Sequence, residues 1–247
     1  MNSDQLSSLI SAATRAPSGH NTQPWHFTAT GDEIVISPDY FRELPAVDGN
    51  WRELFISLGC AAENLCLQAS VLGYAVESFL DGNNIRLHLQ TSEQTAADPL
   101  AAYINQRQTN RSMYNGSLIP ESSLQTIPRQ PSADGIKIHL FSRQSETFRL
   151  LTEAVIQGNA AQMTDPAFKT ELLSWIRFNK KHAEHSNDGV SYAALGAPNL
   201  PRWLSEPIVK LMLNAETQHK ADRKKIAASS HLALITSSAD HIACLRC

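Results

Sequence analysis

The sequence predicts an α+β chain, and three observations lead there. Short β-branched or alternating runs recur at residues 33–37, 75–80, 84–90, 136–141 and 232–236. One apolar helix pattern dominates from Trp51 to Tyr74, and a polar, largely helical stretch runs from Ser145 to Lys225. A chain of 247 residues, 42% hydrophobic and 18% charged, has the composition of a globular protein and can bury a full core, as one large domain or two smaller halves. The polar segment Thr91 to Asp98 is the expected boundary, giving a first half over residues 1–95 and a second over 96–247.

Taken in order, Leu6, Leu9, Ile10 and Ala13 share one face of a helix over residues 4–15. A strand at 33–37 follows the tight turn Gly31-Asp32. Asp48 stands where a helix cap is needed. In the 51–74 helix, Leu54, Leu58, Ala61, Leu65, Ala69 and Leu72 make one stripe, and Phe55, Ala62 and Cys66 fill the next. A helix apolar over so much of its circumference is buried in protein or in lipid. Glu63, Asn64 and Gln68 near its middle favour a protein core, because a bilayer penalises the carboxylate by several kcal/mol. Gly73 closes the helix, and 75–80 with 84–90 reads as a hairpin turning at Asp81-Gly82-Asn83. Residues 100–107 pattern as a helix, and Pro120 sits in the first turn of a short one at 119–124. Trp175, Phe178, Trp203, Ile208, Leu211 and Leu213 are the expected apolar anchors of the helical stretch.

A formal charge of -3 supplies no field for nucleic acid or an anionic membrane surface. Four cysteines are too few for a disulfide framework. Cys60 and Cys66 read as small core residues, consistent with a reducing cytoplasm, and Met1 to Leu9 lacks the pattern of a signal peptide. His182-x-Glu184-His185 lacks the spacing of a zinc helix, and Cys244-x-x-Cys247 has thioredoxin-like spacing without the strand-helix setting of a redox motif.

The stretch with chemical character is Ala16-Pro17-Ser18-Gly19-His20-Asn21-Thr22-Gln23-Pro24-Trp25-His26-Phe27. Pro17 ends the helix before it, and Pro24 is expected to hold Gln23 extended. Gly19 allows a turn that presents N–H groups. Ser18, Asn21 and Gln23 add neutral donors and acceptors, suited to the polar edge of a planar heterocycle. Trp25 and Phe27 would pin the loop to a core. On residue types alone, a surface turn capping a helix is the favoured reading. A second candidate is Arg107-Gln108-Thr109-Asn110-Arg111: two guanidinium groups four apart flank a hydroxyl and suit a phosphate monoester, or are simply solvated.

The run Arg15 to Phe27 resembles the signature of the flavin-dependent nitroreductase superfamily, and more closely that of its Acg-like branch, in which two nitroreductase-like halves share one chain. The resemblance implies a nitroreductase-like mixed sheet with surrounding helices, arranged as a pseudo-dimer of two half-repeats. It implies that Pro17, Ser18, Gly19, Asn21 and Gln23 lie against the isoalloxazine of FMN. Arg107, Thr109 and Arg111, followed by Ile119-Pro120, are similar to the family's Arg-x-Ser-x-Arg phosphate segment, with threonine in place of serine. The implied activity passes electrons from NADH or NADPH through the flavin to a nitroaromatic, quinone or similar small acceptor, with no catalytic acid or base required. The implied assembly is a homodimer or a pseudo-dimeric monomer. Acg-like chains continue past the strand at 232–237 with a long helix and a closing strand, so the second half is expected to be incomplete. The alternatives are a flavin-binding protein without turnover and an inactive relative that binds nothing.

Overall fold

The computed structural model describes residues 1–125 and 135–237. The chain divides into two compact units, the first Met1–Thr109 and the second beginning at Asn110. The segment with Cys244 and Cys247 lies outside the described residues.

In the first unit, helix α1 (Ser3–Ala13) opens on a capping box: the Asn2 side chain accepts the Gln5 N–H, and the Gln5 side chain accepts the Asn2 N–H. Strands β1 (Trp25–Thr30) and β2 (Glu33–Pro38) follow, then helix α2 (Arg52–Val71) and the hairpin β3 (Tyr74–Asp81) and β4 (Asn84–Thr91). The four strands form one antiparallel sheet in the order β1-β2-β4-β3. Ile34 and Ile36 of β2 and Ile85, Leu87 and Leu89 of β4 point inward on the two-residue period of a strand. They meet Leu54, Phe55, Leu58, Ala61, Leu65 and Ala69 of α2, together with Leu9 and Ala13 of α1, in a single core.

By length and composition α2 could cross a membrane. Its polar residues have protein partners instead. Asn64 donates to the Ala12 carbonyl at 3.1 Å and Gln68 to the Ser8 hydroxyl at 3.1 Å, tying α2 to α1. Gly73 takes the left-handed conformation at φ 76° after α2, as the closing glycine should. Residues 100–107 are not an α-helix. Pro99–Tyr103 form a 3-10 turn started by the Asp98 side chain, which accepts the Leu100 N–H at 2.8 Å, and Leu100 and Tyr103 remain more than half exposed, so no apolar stripe is buried to extend it.

The second unit begins with the short helix α3 (Glu121–Leu124) and strand β5 (Ile136–Ser142). Helices α4 (Glu146–Thr164) and α5 (Pro166–Trp175) start at the caps Ser145 and Asp165. Then come β6 (Ile176–Arg177), α6 (Lys180–Ser186), β7 (Val190–Ser191), α7 (Arg202–Met212), α8 (Ala215–Ala228) and β8 (His231–Ser237). β5 pairs antiparallel with β8, while β6 and β7 form a two-residue parallel bridge. α8 lies along α4, joined by Asn159 to Asp222 at 2.9 Å and by both terminal nitrogens of Arg223 to Glu153.

The Arg177 guanidinium, 7% exposed, is held by Asp188, the Ser186 hydroxyl and the Ser174 carbonyl. Phe178 is buried against Val209 and Leu213 as expected of an anchor. Trp203 and Leu211 are not buried. The inward face of α7 is Ser205 and Val209, one turn apart, which leaves Trp203 77% and Leu211 80% exposed on the other side.

Candidate functional site

The loop after α1 is the most constrained stretch of backbone in the first unit. α1 unwinds through Thr14, Arg15 and Ala16, whose N–H groups reach back to Ile10, Ala12 and Ala13. Ser18 is extended, and a single 3-10 turn, Gly19–Asn21, follows. His20, Asn21 and Gln23 all have φ between 48° and 55°, the left-handed region that costs an L-residue about 1–2 kcal/mol each. Gln23 is therefore not extended, despite preceding Pro24. Its N–H donates to the Ser18 hydroxyl at 2.9 Å and its carbonyl accepts the Trp25 N–H at 3.0 Å, and the two bonds together override the pre-proline preference.

The glycine at position 19 also has a different reason from the expected one. Its φ is not positive; the turn is made by His20 and Asn21. What a side chain lacks is space: a Cβ there would stand 2.9 Å from Glu53 Oε2 and 3.0 Å from Leu44 Cδ1, so the ends of both side chains would have to shift.

Two side chains that sequence reasoning passed over hold the loop down. Arg42 Nη1 donates to the Thr22 carbonyl at 2.8 Å, and Arg42 Nε lies 3.5 Å from Asp39. Asp39 is itself nearly buried, accepts the Phe41 N–H and lies 3.4 Å from His26 Nε2. Beneath the turn, Asp48 caps α2 as its position suggested, its two oxygens accepting the Glu53 and Leu54 N–H groups at 2.9 and 2.8 Å. Burial, and then the neighbouring Asp48 charge, raise the Glu53 carboxyl above its ordinary value, against a smaller opposite pull from Arg52. A cavity of about 10 Å³ bounded by Gly19, Thr22, Arg42, Asp48, Glu53 and Ser57 has room for one water at most. A ligand of the loop therefore binds on its outer side, where Pro17 and Asn21 are exposed.

The donor set on that loop fits a flavin ring. The Ser18 oxygen accepts from Gln23, so its O–H proton is left to donate outward. The backbone N–H groups of Ser18 and Gly19 have no protein acceptor among the described residues. All three are neutral donors, as a ring edge of carbonyls and nitrogens requires.

Of the cationic segment, the structure brings Arg107 to this loop: its Nη2 donates to the Arg15 carbonyl at 3.0 Å, immediately ahead of Ala16-Pro17-Ser18. Thr109 is exposed at the end of the first unit, and Arg111 belongs to the second. Cys66, facing the core from α2, has its thiol pushed up to about 12 by burial and then by Glu63, and is no nucleophile at neutral pH. His182 stacks on Phe178 at 6.2 Å and its Nδ1 accepts the Phe178 N–H, a packing role.

The first unit thus presents neutral donors on a strained loop with a guanidinium at its shoulder, a set able to hydrogen-bond the edge of a polar heterocycle. The nitroreductase family model matches residues 1–46, which span α1, the loop, both strands after it and the Asp39–Arg42 strap. A Mycobacterium tuberculosis protein provisionally named an NAD(P)H nitroreductase is 26% identical over 265 positions, covering 98% of this chain and 75% of its own length. Acg of the same organism, under the same provisional name, is 31% identical over 205 positions, covering 78% of this chain and 58% of its own. Among solved structures, a Parabacteroides distasonis protein provisionally named an NADH dehydrogenase/NAD(P)H nitroreductase aligns with 16% identity and a TM-score of 0.32, over 44% of this chain and 86% of its own. The chain is thus similar to the nitroreductase family over its first 46 residues, and along most of its length to proteins provisionally named as NAD(P)H nitroreductases.

Proposed function

We propose that this protein binds FMN through the Pro17–Gln23 loop and passes electrons from NADH or NADPH to a small acceptor such as a nitroaromatic or quinone. The observation that carries the reading is the set of outward neutral donors at Ser18 and Gly19, on a loop whose shoulder is bonded by Arg107. In this reading Pro17, Ser18, Gly19, Asn21 and Gln23 edge the ring, and Arg107, Thr109 and Arg111 serve the phosphate. Bound flavin supplies the hydride chemistry. The chain's own part is to orient the ring against a backbone that needs no further reorganisation, and to aim donors at the edge where negative charge grows on reduction. Support comes from the match to the nitroreductase family model, since the matched residues include the whole loop.

The test is titration of the purified protein with FMN and riboflavin, followed by rapid mixing of the loaded protein with NADH or NADPH. Binding together with bleaching of the visible absorption is expected. Binding without bleaching leaves a flavin store, and no binding of either ligand removes the reading.

A further inference from the structure

A groove of about 560 Å³ lies wholly within the second unit, lined by the first turns of α4, the end of α8 and the turn from β5 to α4. Its volume falls in the range of a small-molecule site, and none of its residues enters the flavin reading. Two of its three arginines are neutralised by the groove itself. Arg223 donates through both terminal nitrogens to the two oxygens of Glu153, at 2.9 and 2.8 Å, and Arg149 donates through Nε and Nη2 to both oxygens of Glu146. The third, Arg143, has no carboxylate within ion-pair distance among the described residues.

That guanidinium is nevertheless held in place. Its Nη1 donates to the Ala227 carbonyl at 3.1 Å and abuts Gly116, where a Cβ would stand 3.5 Å away. The Arg143 N–H donates to the Ser230 carbonyl at 2.9 Å, and the residue is partly buried. One bond to a carbonyl orients the planar fork and leaves its other N–H donors for a ligand.

The lining also selects among anions. Three arginines against two glutamates give a single net positive charge, and the two wall carboxylates oppose a dianion more than a monoanion. The N–H groups of Glu146 and Thr147, first in the 19-residue helix α4, have no acceptor among the described residues, and the positive end of the helix adds to the field of Arg143. Phe148, Ile226 and Ala227 supply apolar surface beside these charges.

We infer that the groove binds a small monocarboxylate with an apolar or aromatic body, and that Arg143 takes the carboxylate. The two oxygens meet parallel N–H groups of the guanidinium, and the body lies against Ile226 and its neighbours. The site stands or falls independently of flavin binding.

Three probes with one body decide it, titrated into the full chain and followed by amide proton–nitrogen correlation spectra: phenylacetate, phenylacetamide and benzyl phosphate. Phenylacetate is expected to shift the amides of Gln144, Ser145 and Thr152 saturably, with half-saturation at about 1–10 mM for a ligand of its size. Phenylacetamide, which lacks the charge, should bind about tenfold or more weakly, and benzyl phosphate no more tightly than phenylacetate. Arg143→Ala should abolish the shifts while amides outside the groove keep their positions, and Arg143→Lys, which keeps the charge without the fork, should fall between. Should Arg143→Ala disturb the fold, Ala227→Glu decides instead: at an exposed position it offers Arg143 a carboxylate of the chain's own, and phenylacetate should lose its site. No saturable shift, equal binding of phenylacetamide, or shifts that survive in a folded Arg143→Ala or in Ala227→Glu overturn the site. Benzyl phosphate binding about tenfold tighter than phenylacetate overturns the ligand class.

Discussion

Arg42→Ala tests whether the loop is held in shape by the strap beside it. The substitution deletes a charged donor bonded at 2.8 Å to the carbonyl of Thr22, a residue 2% exposed. A hydrogen bond with one charged partner contributes about 1.5–3 kcal/mol, and its loss leaves the carbonyl with less than it had. The 3.5 Å contact to Asp39 is half-exposed on the arginine side and adds well under about 1 kcal/mol. Three left-handed residues in the loop have to be held by such bonds, so the loss should appear as local opening rather than global unfolding. About 2 kcal/mol corresponds to roughly thirtyfold faster exchange at the amides of Asn21, Thr22 and Gln23. Native-state hydrogen exchange measures this directly, with the amides of Leu58 and Leu65 in α2 as the internal standard. Uniform acceleration across loop and helix would show that Arg42 supports the unit as a whole. Unchanged loop amides would show that it does not hold the turn at all. Either outcome refutes the reasoning that Arg42 straps the loop.

Three further outcomes follow from the second unit and the core. Arg177→Ala removes the guanidinium paired with Asp188 in a nearly buried setting and should destabilise by about 3 kcal/mol in urea unfolding followed by a probe of the second unit, with the first unit's signals unmoved. Gly189→Ala should cost on the order of 3 kcal/mol or more: its φ is 74°, and a Cβ would collide with the Trp175 carbonyl and stand 2.7 Å from Arg177 Cζ. Cys66, with its thiol raised to about 12, should resist iodoacetamide at pH 8 until denaturant is added, as peptide mass mapping would show. The same shift sets a pH dependence: the unfolded thiol ionises from its ordinary 9.0 upward while the folded one does not, so its contribution is whole below pH 9 and is lost as pH rises from 9 toward 12.

What could be read from the sequence follows how locally each feature is determined. α2 was legible because its apolar stripe, the cap at Asp48 and the closing Gly73 are all written within a few residues of one another. β1 was not, because as an edge strand it buries only Trp25 fully and Phe27 in part, and its remaining residues show no alternation to detect. Leu211 and Trp203 misled for the opposite reason: hydrophobicity was visible, but which side of α7 meets the core depends on packing 30 residues away, at Phe178. The candidate site divides in the same way. Ser18, Gly19 and the two prolines announce a loop by their own chemistry. Arg42 and Asp39 act on it across a separation of about twenty residues, and nothing local marks them.

The places where local rules fail are themselves informative. Among the described residues, five non-glycine positions have positive φ, and four of them, His20, Asn21, Gln23 and Trp51, belong either to the loop or to the start of α2. Two are fixed by bonds of their own, Gln23 by the Ser18 hydroxyl and Trp51 by its N–H to the Asp48 carbonyl and its indole to Glu43 at 2.7 Å, while His20 and Asn21 lie in the turn whose Thr22 carbonyl Arg42 bonds. Strain placed at random would be spread over both units. Strain concentrated in one loop and at the helix start beside it marks a backbone held in shape by its surroundings rather than by its own preferences. In the proposed reading, substitutions that release the turn should weaken FMN and riboflavin alike, and replacement of Arg107 should weaken FMN more than riboflavin.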